Sequence, residues 1–248
     1  RGLGDVYKRQ GDALVSIITI DSDDGIEIMR HTLTAQVLAR AIKNLYPDSK
    51  LAIGPTIEDG FYYDVESSEV ISSDDLTRIE DEMRRIIKTK SSITKKLVSK
   101  SEALKIFKLK KEPYKEIIIN ESDQTDDFQL YYQDDEKFVD LCRGPHLPNL
   151  SFVGAFKLTK VSGAYWKGDS NNSMLTRIYG TAFKNDKDLQ NYLDNLEEAL
   201  KRDHRKLGKE MDLFHFQDEA PGMVFWHPNG WTIYLSLIHI SEPTRRLV

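Results

Sequence analysis

One cysteine, Cys142, stands in the 248 residues, so no internal disulfide is available. A lone thiol of this kind fits a reducing compartment. There is no apolar run of membrane-spanning length and no secretory leader pattern, and the expectation is a soluble, cytoplasmic protein. Internal repeats and low-complexity stretches are also missing. Positive charge is in short supply, with 35 basic against 40 acidic residues and a net charge of −5. That balance excludes non-specific coating of nucleic acid, which needs phosphate neutralisation, but leaves room for a local basic site.

The two ends mirror each other. One legal coding of the first ten residues, RGLGDVYKRQ, has a reverse complement that translates as LSLIHISEPT, the sequence of Leu235–Thr244. A ten-codon inverted match of this sort resembles a sequencing adapter read in both directions. Residues 1–10 and 235–248 are therefore expected to be adapter-derived and not native. The ends carry five basic and two acidic residues, so 30 basic and 38 acidic residues remain between them.

What is present between those ends mixes helical and strand patterns without βαβ regularity. The class predicted is α+β, an antiparallel sheet with helices, followed by a long linker helix. Val15–Ile20 reads as a short β-rich run. Ala35–Leu45 reads as a helix, with Val37, Leu38, Ala41, Ile42 and Leu45 at helical spacing and Pro47 as the stop. Ser72 or Ser73 is an N-cap for a helix to Lys90 whose stripe is Leu76, Ile79, Met83, Ile86 and Ile87. Ser99 and Glu102 form a capping box. Strands are predicted at Tyr114–Ile119, Phe128–Tyr132, Lys137–Leu141, Ala155–Lys160 and Leu175–Tyr179. A last helix is predicted over Asp186–Glu210. Its basic second half, KRDHRKLGK, is either a solvated face or a contact with RNA phosphate.

The densest chemical signal is FVDLCRGPHLPN, Phe138–Asn149. Gly144 and Pro145 dictate a turn that lets the Cys142 thiol and the His146 imidazole converge, with Asp140 delivered by a strand and Arg143 between them. By spacing alone, a buried cysteine and a capping histidine fit as well. His31 is expected just before the first helix. With Cys142 and His146 it makes three possible zinc ligands, or a metal-free hydrolytic pocket in which His and Lys position water. Lys115 stands alone among apolar neighbours, where its ammonium is either solvated or turned to a phosphate, a ribose oxygen or a developing oxyanion.

Four blocks carry a family resemblance: GPTIEDGFYYD (Gly54–Asp64), VDLCRGPHLPN, SGAYWKGDSNNSMLTRIYGTAF (Ser162–Phe183) and RDHRKLGKEMDLFHFQDEAPGMVFWHPNGWTIY (Arg202–Tyr234). In order and spacing they resemble the threonyl-tRNA synthetases of bacterial type. The resemblance implies the end of a ubiquitin-like N-terminal domain over residues 11–27, an editing domain over 28–184, a linker helix over 185–210 and the start of a class II catalytic domain over 211–234. It also implies proofreading, the hydrolysis of mischarged seryl-tRNA(Thr), with the tRNA acceptor end as partner. Aminoacylation, with its ATP, magnesium and zinc, and homodimerisation belong by resemblance to the catalytic domain beyond residue 234. Family pocket residues fall on His31, Tyr63, Lys115, Asp140, Cys142 and His146. Lys115 and His31 would position water, Asp140 would hold the seryl group, and Tyr63, Cys142, His146 and Arg143 would shape the pocket. Two readings compete: a free-standing hydrolase that edits in trans, and a non-catalytic tRNA-binding module.

The chain departs from the family at one point. Where the family has His-x-x-x-His, this sequence reads HTLTAQ, His31–Gln36. The resemblance makes Leu33 an extra residue and puts Gln36 at the second histidine position. Since i and i+4 share a helix face, a four-ligand metal site is not expected.

Overall fold

The computed structural model describes residues 17–124, 127–133 and 137–241. Two compact units meet in sequence at Leu189 and Gln190. The first opens with α1 (Asp23–Thr32), which Ser22 caps by accepting from the Gly25 amide. A π-helical turn, Leu33–Leu38, follows without interruption and leads into α2 (Ala39–Leu45). The Ala39 amide bonds back to the Thr34 carbonyl, an i→i−5 step.

The main sheet is antiparallel. Its path is β1 (Lys50–Leu51), β3 (Gly60–Glu66), β8 (Met174–Phe183) and β7 (Ala155–Tyr165), and β2 (Thr56–Ile57) pairs with the start of β3. Phe61, Tyr63 and Val65 alternate inward along β3 and meet Leu158, Ile178 and Phe156 in one core with the buried face of α1–α2. α3 (Leu76–Lys88) closes that core with Ile79, Met83 and Ile86. Ahead of α3, Ser72 and Asp75 make a reciprocal capping box.

A second sheet, β4 (Ile93–Val98), β5 (Phe128–Gln133) and β6 (Phe138–Leu141), is also antiparallel. It packs Leu130, Tyr132 and Val139 against Ala103 and Phe107 of α4 (Lys100–Leu109) and Ile119 of α5 (Pro113–Glu121). The expected α+β class with antiparallel sheets is what the chain forms.

Several expectations need correction. Tyr114–Ile119 is helix α5, not a strand. Pro113 occupies the first helical turn, where its missing N–H costs nothing, and Tyr114, Lys115 and Ile119 are buried at helical spacing. The isoleucines favoured a strand locally, and packing overrides them. His31 lies in the last turn of α1, not ahead of a helix, because the helix starts at Asp23. Residues 17–20 of the Val15–Ile20 run are not in a strand, and the rest of that run lies outside the described residues. The domain boundary read at residue 28 falls inside α1.

The second unit takes in most of α6 (Asp186–Lys201), then α7 (His204–Glu210), a two-stranded hairpin of β9 (Phe214–His215) and β10 (Phe225–Trp226), and α8 (Pro228–Ser241). The helix predicted over Asp186–Glu210 is two helices. Asp203 leaves helical geometry and caps α7 by accepting from the Arg205 amide. The expected adapter end at residues 1–10 lies outside the described residues, and residues 235–241 continue α8.

Candidate functional site

Between α1, α5 and β6 runs a cleft of about 800 Å³, lined among others by His31, Lys115, Asp140, Cys142 and Arg143. β6 delivers Asp140, and the chain leaving that strand carries Cys142 to His146. Two glycines make the arrangement possible. A side chain at Gly54 would strike the Tyr63 ring, 2.2 Å from its nearest atom. Gly144 has φ +66, in the left-handed region, and a side chain there would meet the Tyr131 hydroxyl at 2.0 Å.

The polar centre has two parts. In the first, Lys115 Nζ sits 2.6 Å from Asp140 Oδ1, and both side chains are almost fully buried. The Leu141 amide donates to the same oxygen at 2.8 Å. Lys115 also donates to the Tyr63 hydroxyl at 3.3 Å, and that hydroxyl donates to Asp140 Oδ2 at 3.4 Å. Burial pushes the Asp140 carboxyl up, and the Lys115 ammonium pulls it back down. Burial and the Asp140 charge push the Tyr63 phenol well above its ordinary value. The three groups form one closed network in which each charge has its partner.

In the second part, His31 Nε2 lies 3.0 Å from the Cys142 sulfur, and His31 Nδ1 lies 3.3 Å from the Pro145 carbonyl. A carbonyl only accepts, so Nδ1 carries the proton and Nε2 presents a lone pair to the thiol. Burial pushes that thiol up to about 11, so it remains S–H at neutral pH. Burial also lowers the His31 imidazole, which the Pro145 carbonyl and Asp140 only partly counter.

His146 stacks on His31 with ring centroids 4.6 Å apart. Thr32 sets its tautomer. The one hydroxyl proton of Thr32 goes to the Ile28 carbonyl at 2.8 Å, so Thr32 accepts from the Leu147 amide at 3.0 Å and from His146 Nδ1–H at 3.2 Å. His146 Nε2 is then a bare lone pair, buried and without a partner. Burial first, and His31 second, lower the His146 imidazole to about 3. The ligand atoms of His31, Cys142 and His146 lie within 4.8 Å of one another.

Of the residues singled out in the sequence, His31, Lys115, Asp140, Cys142 and Arg143 line the cleft. Tyr63 and His146 stand behind that wall as supports. Gln36 does not line it. Ala35, four residues after His31, takes that place, and Gln36 turns fully buried toward β5, where the Gln133 side-chain amide donates to its carbonyl at 2.7 Å and to its Oε1 at 3.0 Å. Arg40 donates to Gln133 Oε1 at 3.0 Å. The sequence pattern missed Thr32, Ala35, Gln133 and Arg40. Thr32 had a signal, since a threonine beside a candidate histidine can fix its tautomer, whereas the Gln36–Gln133 bond spans 97 residues and has none.

This fold and cleft define a class. Residues 129–179 match the family described as the threonyl and alanyl tRNA synthetase second additional domain. The chain is 54% identical over 223 residues to the threonine–tRNA ligase of Prochlorococcus marinus, covering 90% of this chain and 34% of that protein. It is 54% identical over 233 residues to that of Legionella pneumophila strain Corby, covering 94% and 36%. With that of Saccharophagus degradans it shares 50% identity over 236 residues, covering 95% and 37%. The chain is thus a homologue of threonine–tRNA ligases, aminoacyl-tRNA synthetases of protein biosynthesis, and spans about a third of the length of the curated relatives it matches.

Proposed function

We propose that this segment proofreads, hydrolysing the ester of seryl-tRNA(Thr) in the cleft between α1, α5 and β6. The observation that carries the reading is the buried Lys115–Asp140–Tyr63 network placed beside His31 and Cys142 on one cleft wall. The chemical need is plain. A pocket built for threonine cannot strongly reject serine, because one missing methyl is worth about 1–3 kcal/mol, so a second site must remove the error.

In the reaction a water oxygen bonds to the seryl carbonyl carbon, the bond from that carbon to the ribose oxygen breaks, and the ribose oxygen takes a proton. The water takes the place of the weakly donating Cys142 thiol at His31 Nε2, and the neutral imidazole holds it through that lone pair while Nδ1–H stays on the Pro145 carbonyl. The Lys115 ammonium faces the developing oxyanion. Asp140 holds the seryl ammonium, and Arg143, exposed on the rim, meets phosphate of the acceptor end. Threonine charging by the whole ligase, with its ATP and magnesium, is a separate reaction.

A second reading concerns zinc at His31, Cys142 and His146. It is favoured by the orphaned Nε2 of His146, because two nitrogens and a sulfur suit zinc and a bare buried lone pair has no other use here. Zinc on three protein ligands would supply an acidified water at neutral pH.

The test is single-turnover deacylation of seryl-tRNA and threonyl-tRNA. Proofreading requires faster loss of serine. tRNA binding with no hydrolysis above background would favour the non-catalytic binding module, to which Ala35 at the cleft wall already lends support.

A further inference from the structure

The second unit carries an imidazole pair of its own. In the β9–β10 hairpin His215 stands opposite Phe225, and His227 follows two residues on, on the same face. The His227 amide donates to the Leu213 carbonyl at 2.9 Å, which extends the ladder by one step. This register brings His215 Nδ1 to 2.6 Å from His227 Nε2. The His215 ring is stacked on Phe225, with centroids 5.3 Å apart. The outer nitrogens are held as well. His227 Nδ1 lies 2.7 Å from Asp212 Oδ1, and Gln217 Nε2 lies 3.1 Å from His215 Nε2. A carboxylate only accepts, so His227 Nδ1 carries a proton and Nε2 is a lone pair, and the proton between the rings belongs to His215 Nδ1. Residues 212–227 include Asp212, Asp218 and Glu219 and no lysine or arginine, so the local field favours a cation.

We infer that this pair is a metal site, in which a divalent ion of tetragonal preference, copper(II) or nickel(II), takes the place of the shared proton between His215 Nδ1 and His227 Nε2. Imidazole nitrogen suits such ions. At metal–nitrogen distances of about 2.0–2.1 Å, two ligands at right angles lie roughly 2.9 Å apart, and two at the tetrahedral angle roughly 3.3–3.4 Å. The observed 2.6 Å is nearer the right-angled pair, so the rings need to part only slightly. The His215 proton moves from Nδ1 to Nε2, where the Gln217 amide, turned over, accepts it through Oε1, and both imidazoles stay neutral. Asp212 is the outer partner that orients His227, the usual support of a metal-bound histidine. His215 is exposed and His227 half-buried, so the remaining positions on the ion are open to water. The inference does not depend on hydrolysis in the front cleft.

The test is calorimetric titration of the untagged whole chain with nickel(II) chloride, an ion that does not oxidise the Cys142 thiol. His215→Gln with His227→Gln should remove one equivalent of bound nickel. Asp212→Asn should keep that equivalent and weaken it about 10–100-fold, the usual effect of losing an outer partner. The Asp212 side chain is 82% exposed, and asparagine tolerates its left-handed φ of 52, so this variant tests the site without burdening the fold. His204→Gln, at another exposed histidine, and Cys142→Ala, at the thiol of the first unit, should each leave the equivalent in place. No saturable nickel binding by the unchanged chain would overturn the inference. So would the same stoichiometry in the double variant, or full affinity in Asp212→Asn. Loss of the equivalent in His204→Gln would reduce it to scattered surface imidazoles, and loss in Cys142→Ala would give the ion to the first unit; either result overturns the site.

Discussion

The side-chain amide of Gln133 donates to the backbone carbonyl of Gln36 at 2.7 Å, tying the π turn of the first helix to strand β5. The same amide reaches Gln36 Oε1, and Arg40 holds Gln133 from its other side. Replacing Gln133 with leucine leaves a buried carbonyl without its donor, which costs about 1–3 kcal/mol. Thermal unfolding of Gln133→Leu should show that loss, and an unchanged Tm would mean that the clasp is incidental.

Restoring the family spacing is the complementary experiment. Deleting Leu33 and changing Gln36→His would place an imidazole four residues after His31, where Ala35 now lines the cleft. General acid–base help of this kind is worth about 10²–10⁴-fold. Seryl-tRNA hydrolysis should rise by tenfold or more, while equal rates for the two forms would show that the departure does not matter for catalysis.

The buried ion pair changes what a substitution at Lys115 means. Lys115→Met alone strands the Asp140 carboxylate in the core, a loss of about 3–5 kcal/mol. Adding Asp140→Asn should recover most of that stability in a denaturant melt. Hydrolysis should stay at least a hundredfold down in the double variant, so recovery of activity along with folding would assign the pair a structural role only.

Acid should weaken the first unit through His146. Its folded value is lowered to about 3, against an unfolded value of about 6.5. Below 6.5 the unfolded chain binds a proton that the folded chain refuses, so the stabilisation is complete above pH 6.5 and is lost as pH falls toward 3. Between pH 7 and pH 5 the loss is roughly 1–2 kcal/mol. His146→Gln should flatten that slope, and an identical pH profile would sink the assignment.

Zinc should raise the Tm if the three-ligand reading holds, by about 2.7 kcal/mol of stabilisation at a hundredfold excess over Kd. The Cys142 thiol must lose its proton to bind, so protons are released on titration. Cys142→Ala should abolish both effects. A Tm indifferent to zinc and to chelator would leave the pocket metal-free.

Removing residues 1–10 and 235–248 should leave the Tm of the first unit unchanged. The motivation is the inverted codon match, together with the exposure of Leu237 and Ile240 on α8. A fall of many degrees would show that the ends pack.

Legibility in the sequence followed the range of the forces. The cap at Ser72 and the strands at Phe128–Gln133 and Phe138–Leu141 were readable because their signals are local. The Tyr114–Ile119 helix was not, since its isoleucines favour strands and only packing on the second sheet decides otherwise. His31, Lys115, Asp140, Cys142 and His146 stood out by residue type and by resemblance. That Lys115 and Asp140 form a closed pair with Tyr63, and that Thr32 fixes the His146 tautomer, depended on contacts that sequence spacing does not encode.

The π turn at Leu33–Leu38 has a consequence for how such a chain changes over generations. Each residue added to an α-helix rotates everything beyond it by about 100°. An i→i+5 turn swallows one residue, so the rotation ends where it began. Ala41 and Ile42 still face the core with no exposure. A residue added at such a turn is therefore nearly invisible to selection acting on stability, whereas the proofreading proposed above would register it at once, through the change in what faces the cleft.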